Sequence, residues 1–421
     1  MNFSPETALA YARAIARPRL VGSGEEERVA QELVTQLQRF GYNVEREPFQ
    51  FTRAFDIVLT YEVAFALLLI LLAIVFPHIA SIFGILLLGL LAIVQPLNRV
   101  IHRHAVASDI DSRDAATPLT AFCLRLGRLR RASNIVARLP DPVRADLRVC
   151  PALYLVSHFD SKSQRMPVFV RIALFMIAIP GAILFAALTF AQSLREAPNL
   201  QPLSTLVGLL TILCGIPLLF LDVGNESPGA IDNAAGTGLV LHLAECLRSR
   251  PDLSGKLRIT ILITSAEEMA AMGALYHVER NLNSLKRDAR SGGLYVLNFD
   301  GTGVDGQLYV AFPHLPSPAQ APRAERGARG RGVGGEGEQL ISLLHRAAAD
   351  LAIPLHRFTL TGALFDHIPF AEHGFDAASL MTIGGATRAV HTPEDTVDKL
   401  HPRGFELAGR VATRVIELLA S

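Results

Sequence analysis

Over the first forty residues hydrophobic positions recur at helical spacing. Ser4-Pro5-Glu6-Thr7 opens a predicted helix running to Arg17, with proline in the first turn and an acid near its N-terminus. Glu25 to Phe40 forms a second, with Val29, Leu33, Leu37 and Phe40 on one face and Gly41 as its cap. Tyr42 to Thr52 then alternates with the period of a strand. After Asp56 the charged positions vanish. Between Glu62 and Arg99 no residue carries a formal charge, and Pro77-His78 interrupts the run midway. Each half is about twenty residues, enough to cross a bilayer as a helix. Ile172 to Leu194 and Ala197 to Leu221 repeat the pattern, with only Arg195-Glu196 between them. Two helical hairpins with four membrane-spanning helices are predicted, over 56–99 and 168–222, the first turning at Pro77-His78. Glu62 falls in the first turn or so of its span, within reach of the interface.

Elsewhere short uncharged runs alternate with amphipathic ones. Ser133 to Leu139 and Ala152 to Ser157 read as strands paired around a Pro140-Asp141-Pro142 turn. Ile259 to Thr264, Gly292 to Phe299 and Ala377 to Ile383 are buried strands. Helical spacing returns over Asp232 to Cys246, through Tyr276 and Val278, over Gln339 to Leu351 and over Gly404 to Leu419. Strands alternating with helices predict an α/β fold with a mixed, mostly parallel central sheet flanked by helices. Segments 1–55, 100–167 and 223–421 would build one discontinuous domain interrupted by the two hairpins. Pro313 to Gly337, rich in proline, glycine and arginine, is predicted to be a mobile surface loop.

Composition adds boundaries. Forty basic residues against thirty-nine acidic ones leave no electrostatic footprint for nucleic acid. Charged residues make up only 19%, below the usual quarter, and the deficit lies in the hairpins. Cys123, Cys150, Cys214 and Cys246 are scattered, forming neither a metal pair nor a disulfide framework, which suits a reducing compartment. Met1 to Ala10 has no basic stretch followed by an apolar core, so no cleavable signal peptide is expected.

The predicted strand ends carry the chemistry. Ile259 to Thr264 runs into Glu267-Glu268, two adjacent carboxylates that repel each other unless something positive holds them. The strand ending at Ser157 leads to His158 and Asp160, and another ends at Asp300. His391 follows the strand ending at Ile383, and Asp232 opens a helix. Each has an ordinary explanation alone, as a cap, a turn residue or a helix N-terminal acid. In a parallel sheet, however, such ends converge where ligands bind. Two histidines with several carboxylates suit zinc or a similar divalent ion. Two ions close together would share a carboxylate and leave positions open for water and substrate.

These pieces resemble, in order, the zinc aminopeptidase family of the bacterial leucyl aminopeptidases and aminopeptidase Y, which also includes glutamate carboxypeptidase and the glutaminyl cyclases. The matching motifs are His158-Phe-Asp160-Ser161, Pro228-Gly-Ala-Ile-Asp232-Asn233, Glu267-Glu268 with Gly273, Asn298-Phe-Asp300, Asp366-His367 with Phe370, and His391-Thr-Pro-Glu-Asp395-Thr396. Pro18-Arg19 with Gly22-Ser23 and Asn134 to Pro140 follow the family's style. The likeness spans everything but the hairpins. It implies a phosphorylase/hydrolase-like dizinc peptidase fold and two zinc ions bridged by Asp232. His158 and Asp300 would complete one ion's ligands, and Glu268 and His391 the other's. Asp160 would hold the His158 imidazole in its ligating tautomer, and Glu267 would be the general base toward a metal-activated water. Ala270 departs from the family's usual glycine, and Val390 from a tyrosine found in some members, so the oxyanion donor stays open between Asp366-His367 and Arg388.

The resulting expectation is a multi-pass membrane metallopeptidase that removes N-terminal residues from peptides, with a lipid bilayer and a peptide as its partners. Arg53, Arg99, Arg103, Lys162, Arg165 and Arg171 flank the hairpins on one side and Arg195 alone on the other, which places the peptidase domain in the cytoplasm. A glutaminyl-cyclase-like acyltransferase, a carboxypeptidase of the same fold and a non-catalytic receptor or scaffold are the rival readings. A transporter is disfavoured, because the spans hold no ionisable residue but Glu62.

Overall fold

Strands that are apolar on both faces take the middle of a sheet, and four of the strands here do so. The structure, a computed structural model, describes residues 1–108, 117–140, 150–195, 200–312, 338–358 and 364–421. The predicted loop 313–337 lies outside them. The chain divides into two compact units. The first comprises Met1–Phe49, Arg131–Ser163 and Asn225–Ser421, and the second Gln50–Arg130 and Gln164–Gly224. Segments 50–55 and 100–130 thus fall with the hairpins.

Among the described residues of the first unit eight strands stand side by side: β1 (Asn43–Phe51), β2 (Arg130–Arg138), β3 (Ala152–His158), β4 (Arg258–Thr264), β5 (Leu294–Phe299), β6 (Gln307–Ala311), β7 (Leu355–Phe358) and β8 (Asp376–Ile383). Their order is β7-β6-β8-β5-β3-β4-β2-β1. The central four, β8, β5, β3 and β4, are mutually parallel. β2 runs antiparallel to β4, and β6 antiparallel to β8. The α/β expectation of a mixed, mostly parallel sheet therefore holds.

One pairing differs from expectation. β2 and β3 are not neighbours, because β4 lies between them and pairs with both. All seven residues of β3 are buried, so it takes a central place with parallel neighbours on either side. Alternation along β3 splits its side chains between two apolar layers. Leu153 and Leu155 join the layer holding Leu33, Leu239 and Phe405 from helices Gly24–Arg39, Ala235–Arg248 and Pro402–Leu419. Tyr154 and Val156 face Ala274, Val278 and Leu285 of helix Met272–Ser291.

Among its described residues the second unit has four helices long and apolar enough to cross a membrane, Ala54–Val75, Pro77–His104, Val168–Leu194 and Gln201–Leu219. Leu86, Ile93, Phe169, Leu206 and Leu213 stand exposed on them, whereas Leu69, Ile70, Leu87 and Phe185 pack inside. That is the inverse of a water-soluble bundle and suits an apolar solvent. Small residues bring the helices together: a Cβ on Gly208 would lie 2.7 Å from the Phe185 ring. Glu62 does not reach outward as expected. It is buried, and its Oε2 accepts a hydrogen bond from Asn98 Nδ2 at 2.7 Å while its Oε1 has no partner.

Candidate metal centre

The carboxyl ends of the parallel strands carry the residues singled out in the sequence. β3 ends on His158, with Asp160 two residues on. β4 leads into a short 3-10 turn, Glu267–Met269, and β5 into Asp300. His391 follows β8 after the turn Gly385–Ala389, and Asp232 lies in Ala230–Ala234, just before helix Ala235–Arg248.

The structure brings these side chains together as two groups sharing one member. His158, Asp232 and Asp300 form one, and Asp232, Glu268 and His391 the other, the donor atoms within each lying within 4.8 Å of one another. The two oxygens of Asp232 face different histidines. Oδ1 is 3.1 Å from His158 Nε2, and Oδ2 is 3.0 Å from His391 Nε2. Asp300 Oδ2 lies 3.8 Å and Glu267 Oε2 3.7 Å from His158 Nε2, while Glu268 Oε2 lies 3.1 Å from His391 Nε2.

A divalent cation fits this donor set. His158 Nδ1 is 3.2 Å from the carbonyl oxygen of Asp160, which can only accept, so Nδ1 carries the proton. Nε2 is buried, has no hydrogen-bond partner and faces three carboxylates. Left bare, its lone pair would face anions, a repulsion that a proton or a metal ion between them relieves. Protonation tells the same story. Burial pulls the His158 pKa down, but Glu267, together with Asp160, Asp232 and Asp300, raises it well above the ordinary histidine value. Burial, then the charges of Asp300, Glu268 and Asp366, raise Glu267 well above an ordinary glutamate, against the pull of His158. The pocket holds more negative charge than its own donors satisfy.

The Asp160 carboxylate lies beside the His158 imidazole and also engages the glutamate turn. Its Oδ1 is 3.6 Å from His158 Nδ1, while its two oxygens accept from the backbone N–H groups of Glu267 and Glu268, both at 3.2 Å. The Asp160 backbone meets the histidine, and its side chain fixes the glutamate turn. That turn is tight: Ala266, Ala270 and Ala271 have φ of +60°, +74° and +54°. A Cβ on Gly273 would lie 2.1 Å from the carbonyl oxygen of Ser265, so only glycine lets helix Met272–Ser291 start so close to β4. Asn134 ties the two, donating to Gly273 O at 2.9 Å and accepting from Ser265 N at 3.2 Å. Asp395 accepts from the backbone of Ile231 at 2.7 Å and of Asp232 at 3.3 Å.

Arg19 clamps two of the loops. Fully buried, its guanidinium donates to the carbonyls of Phe159, Arg17, Pro228 and Gly229, so it links the His158–Asp160 segment to the one entering Asp232. Burial lowers its pKa to about 10, although Asp395, Asp160, Asp232 and Glu268 pull it back up. Asp366 and His367 are buried beside the centre. Asp366 accepts from Thr264 Oγ1 at 2.5 Å, and His367 Nδ1 lies 2.6 Å from Ser379 Oγ. Burial pushes Asp366 up to about 7 and His367 down to about 3. Arg388 is exposed. The roles that sequence left unassigned, the Arg19 clamp, the Asp395 and Asn134 anchors and Lys162 beside Glu268, are exerted largely on backbone groups, which no residue type advertises.

A parallel-sheet edge with two adjoining histidine–carboxylate groups defines a metal-centre protein of the α/β class. Comparison narrows this. Residues 217–416 match the model of peptidase family M28. Aminopeptidase YwaD of Bacillus subtilis (strain 168) is 28% identical over 196 residues, 45% of this chain. The match spans 37% of that relative's length. A solved zinc aminopeptidase from Bacillus subtilis has the same fold, with a TM-score of 0.53, 13% identity and coverage of 99% of this chain and 95% of that one. The glutaminyl cyclase of Fimbriiglobus ruber does so too, with a TM-score of 0.53, 14% identity and coverage of 99% and 96%. The resemblance to the zinc aminopeptidase family therefore holds, and the fold is the one expected.

Proposed function

We propose that this chain is a membrane-anchored dizinc aminopeptidase. The observation that carries the reading is the placing of the two Asp232 oxygens, one toward each histidine–carboxylate group. His158, Asp232 and Asp300 would hold one ion, and Asp232, Glu268 and His391 the second. Bound there, zinc supplies Lewis acidity to the scissile carbonyl and lowers the pKa of a water at the site. Glu267 is not needed as a ligand in either group. It takes the proton from the attacking water and passes it to the amine released when the peptide C–N bond breaks. With a cation held by His158, Asp232 and Asp300, Glu267 would be favoured as the carboxylate and so fitted to act as a base. The hairpins anchor the enzyme. Their basic flanks favour a cytoplasmic side for the peptidase segments, a reading supported by protease resistance of those segments in sealed cells and refuted by their digestion from outside.

The test is hydrolysis of a panel of aminoacyl chromogenic substrates by the detergent-purified full chain, with and without chelator, beside Glu267→Gln. The expected result is activity that disappears with chelator and falls at least a thousandfold in the variant, which still binds two ions. Full metal loading without aminopeptidase activity would replace this reading by the cyclase or carboxypeptidase alternative. Absence of metal binding would favour the scaffold.

A further inference from the structure

The two ligand groups differ in the charge around them. The first, His158, Asp232 and Asp300, is surrounded by further carboxylates, those of Asp160, Glu267 and Asp366. The second contains Glu268, whose Oε2 lies 2.9 Å from Lys162 Nζ. Lys162 also donates to the Glu268 backbone oxygen at 3.1 Å, and its side chain is 14% exposed, so the ammonium is held in place rather than free in solvent. The oxygen it engages is the one that faces His391 Nε2 at 3.1 Å.

We propose that Lys162 makes the two metal sites unequal, the Asp232–Glu268–His391 site being the weaker and more readily exchanged. The inference rests on the two-ion reading. An ion entering the second site finds Glu268 Oε2 already engaged by an ammonium, with only the buried Oε1 of that carboxylate unengaged. It then stands beside a fixed positive charge inside a site where water screens little. An ion entering the first site meets the further carboxylates of Asp160, Glu267 and Asp366 around its ligands, while the Arg19 charge is felt at the shared Asp232 and at Glu268 alike. Lys162 thus offsets part of the negative charge that would otherwise draw in the second ion.

Sign separates this from a merely structural lysine. If Lys162 only held Glu268 in position, removing it would weaken the second ion. If it competes, removing it tightens that ion. The experiment is titration of the chelator-stripped full chain in detergent with Zn2+ against a chromogenic competing chelator, for the parent, Lys162→Met, Lys162→Arg and Glu268→Ala. The parent is expected to show two unequal dissociation constants. Lys162→Met tightens the weaker at least tenfold and leaves the tighter unchanged, which also shows that the fold is intact. Lys162→Arg keeps the parent's inequality, and Glu268→Ala retains one ion. Two ions with unaltered or weakened affinity in Lys162→Met overturn the inference and leave the two-ion reading standing. One ion in the parent and in Lys162→Met alike overturns both.

Discussion

Arg19 offers a sharp test of how the centre is held. The perturbation is Arg19→Met, which keeps most of the stem and removes the guanidinium. Four carbonyl groups, on Phe159, Arg17, Pro228 and Gly229, lose a charged donor. Hydrogen bonds to a charged group contribute about 1.5–3 kcal/mol each, so their gross loss is roughly 6–12 kcal/mol. Burying the charge is itself unfavourable. The fall of the Arg19 pKa from 12.5 to about 10 corresponds to roughly 3 kcal/mol that methionine would recover. These bonds share one anchor and are not additive, so the low end applies, and the net loss is about 3 kcal/mol or more. For a unit of this size that lowers Tm by roughly 6–12 °C. The assay is thermal unfolding in detergent followed by circular dichroism, with zinc stoichiometry measured alongside, because the chain contains no tryptophan to report by fluorescence. Arg19→Lys keeps the charge but not the planar fork that reaches several carbonyls at once, and falls between parent and methionine. An Arg19→Met protein that melts within about 2 °C of the parent and still loads zinc fully would refute the clamp.

Two further outcomes follow from groups beside the same loops. Glu26 accepts from Ser265 Oγ at 2.5 Å and from Gly22 N at 2.7 Å, and burial raises its pKa from 4.5 to about 7. The folded state therefore keeps a proton that the unfolded state loses. Stability falls as pH rises from about 4.5 to about 7, by up to roughly 3 kcal/mol. Glu26→Gln should raise Tm relative to the parent at pH 8 and leave it nearly unchanged at pH 5; a difference that does not vary with pH would refute the assignment. Ala270 sits at φ +74°, a conformation costly for a residue with a Cβ. Ala270→Gly should stabilise by about 0.5–1 kcal/mol, read as a small rise in Tm, and a fall in Tm would show that the turn is not strained there.

The strand Ile259 to Thr264, the run to Glu267-Glu268 and the two uncharged pairs of helices were legible because period and charge are properties of adjacent residues. The donor set was legible for a related reason. Histidines and carboxylates at successive strand ends are rare enough to be read jointly, and parallel pairing carries them to one edge. Partner choice was less accessible. Alternation in Ser133 to Leu139 and Ala152 to Ser157 marks two strands but not their neighbours, and β4, more than a hundred residues later, separates them. Glu62 was judged by its distance from the end of its span, whereas Asn98 on the returning helix decides its environment.

The supports of the centre were hidden for a deeper reason. Asp160, Asp395 and Arg19 all act on main-chain groups: the N–H of Glu267 and Glu268, the N–H of Ile231 and Asp232, and four carbonyls. Nearly every residue offers the same N–H and C=O, so nothing in a side chain announces that its backbone is to be held. Yet this arrangement follows from the chemistry the centre needs. A lone pair that faces the metal cannot also accept a hydrogen bond, which leaves the ligand side chains fewer atoms by which to be held. Much of their positioning is therefore set through the chain that carries them. Lys162 is the exception, because it engages a metal-facing oxygen directly, and there the two ligand groups cease to be equivalent.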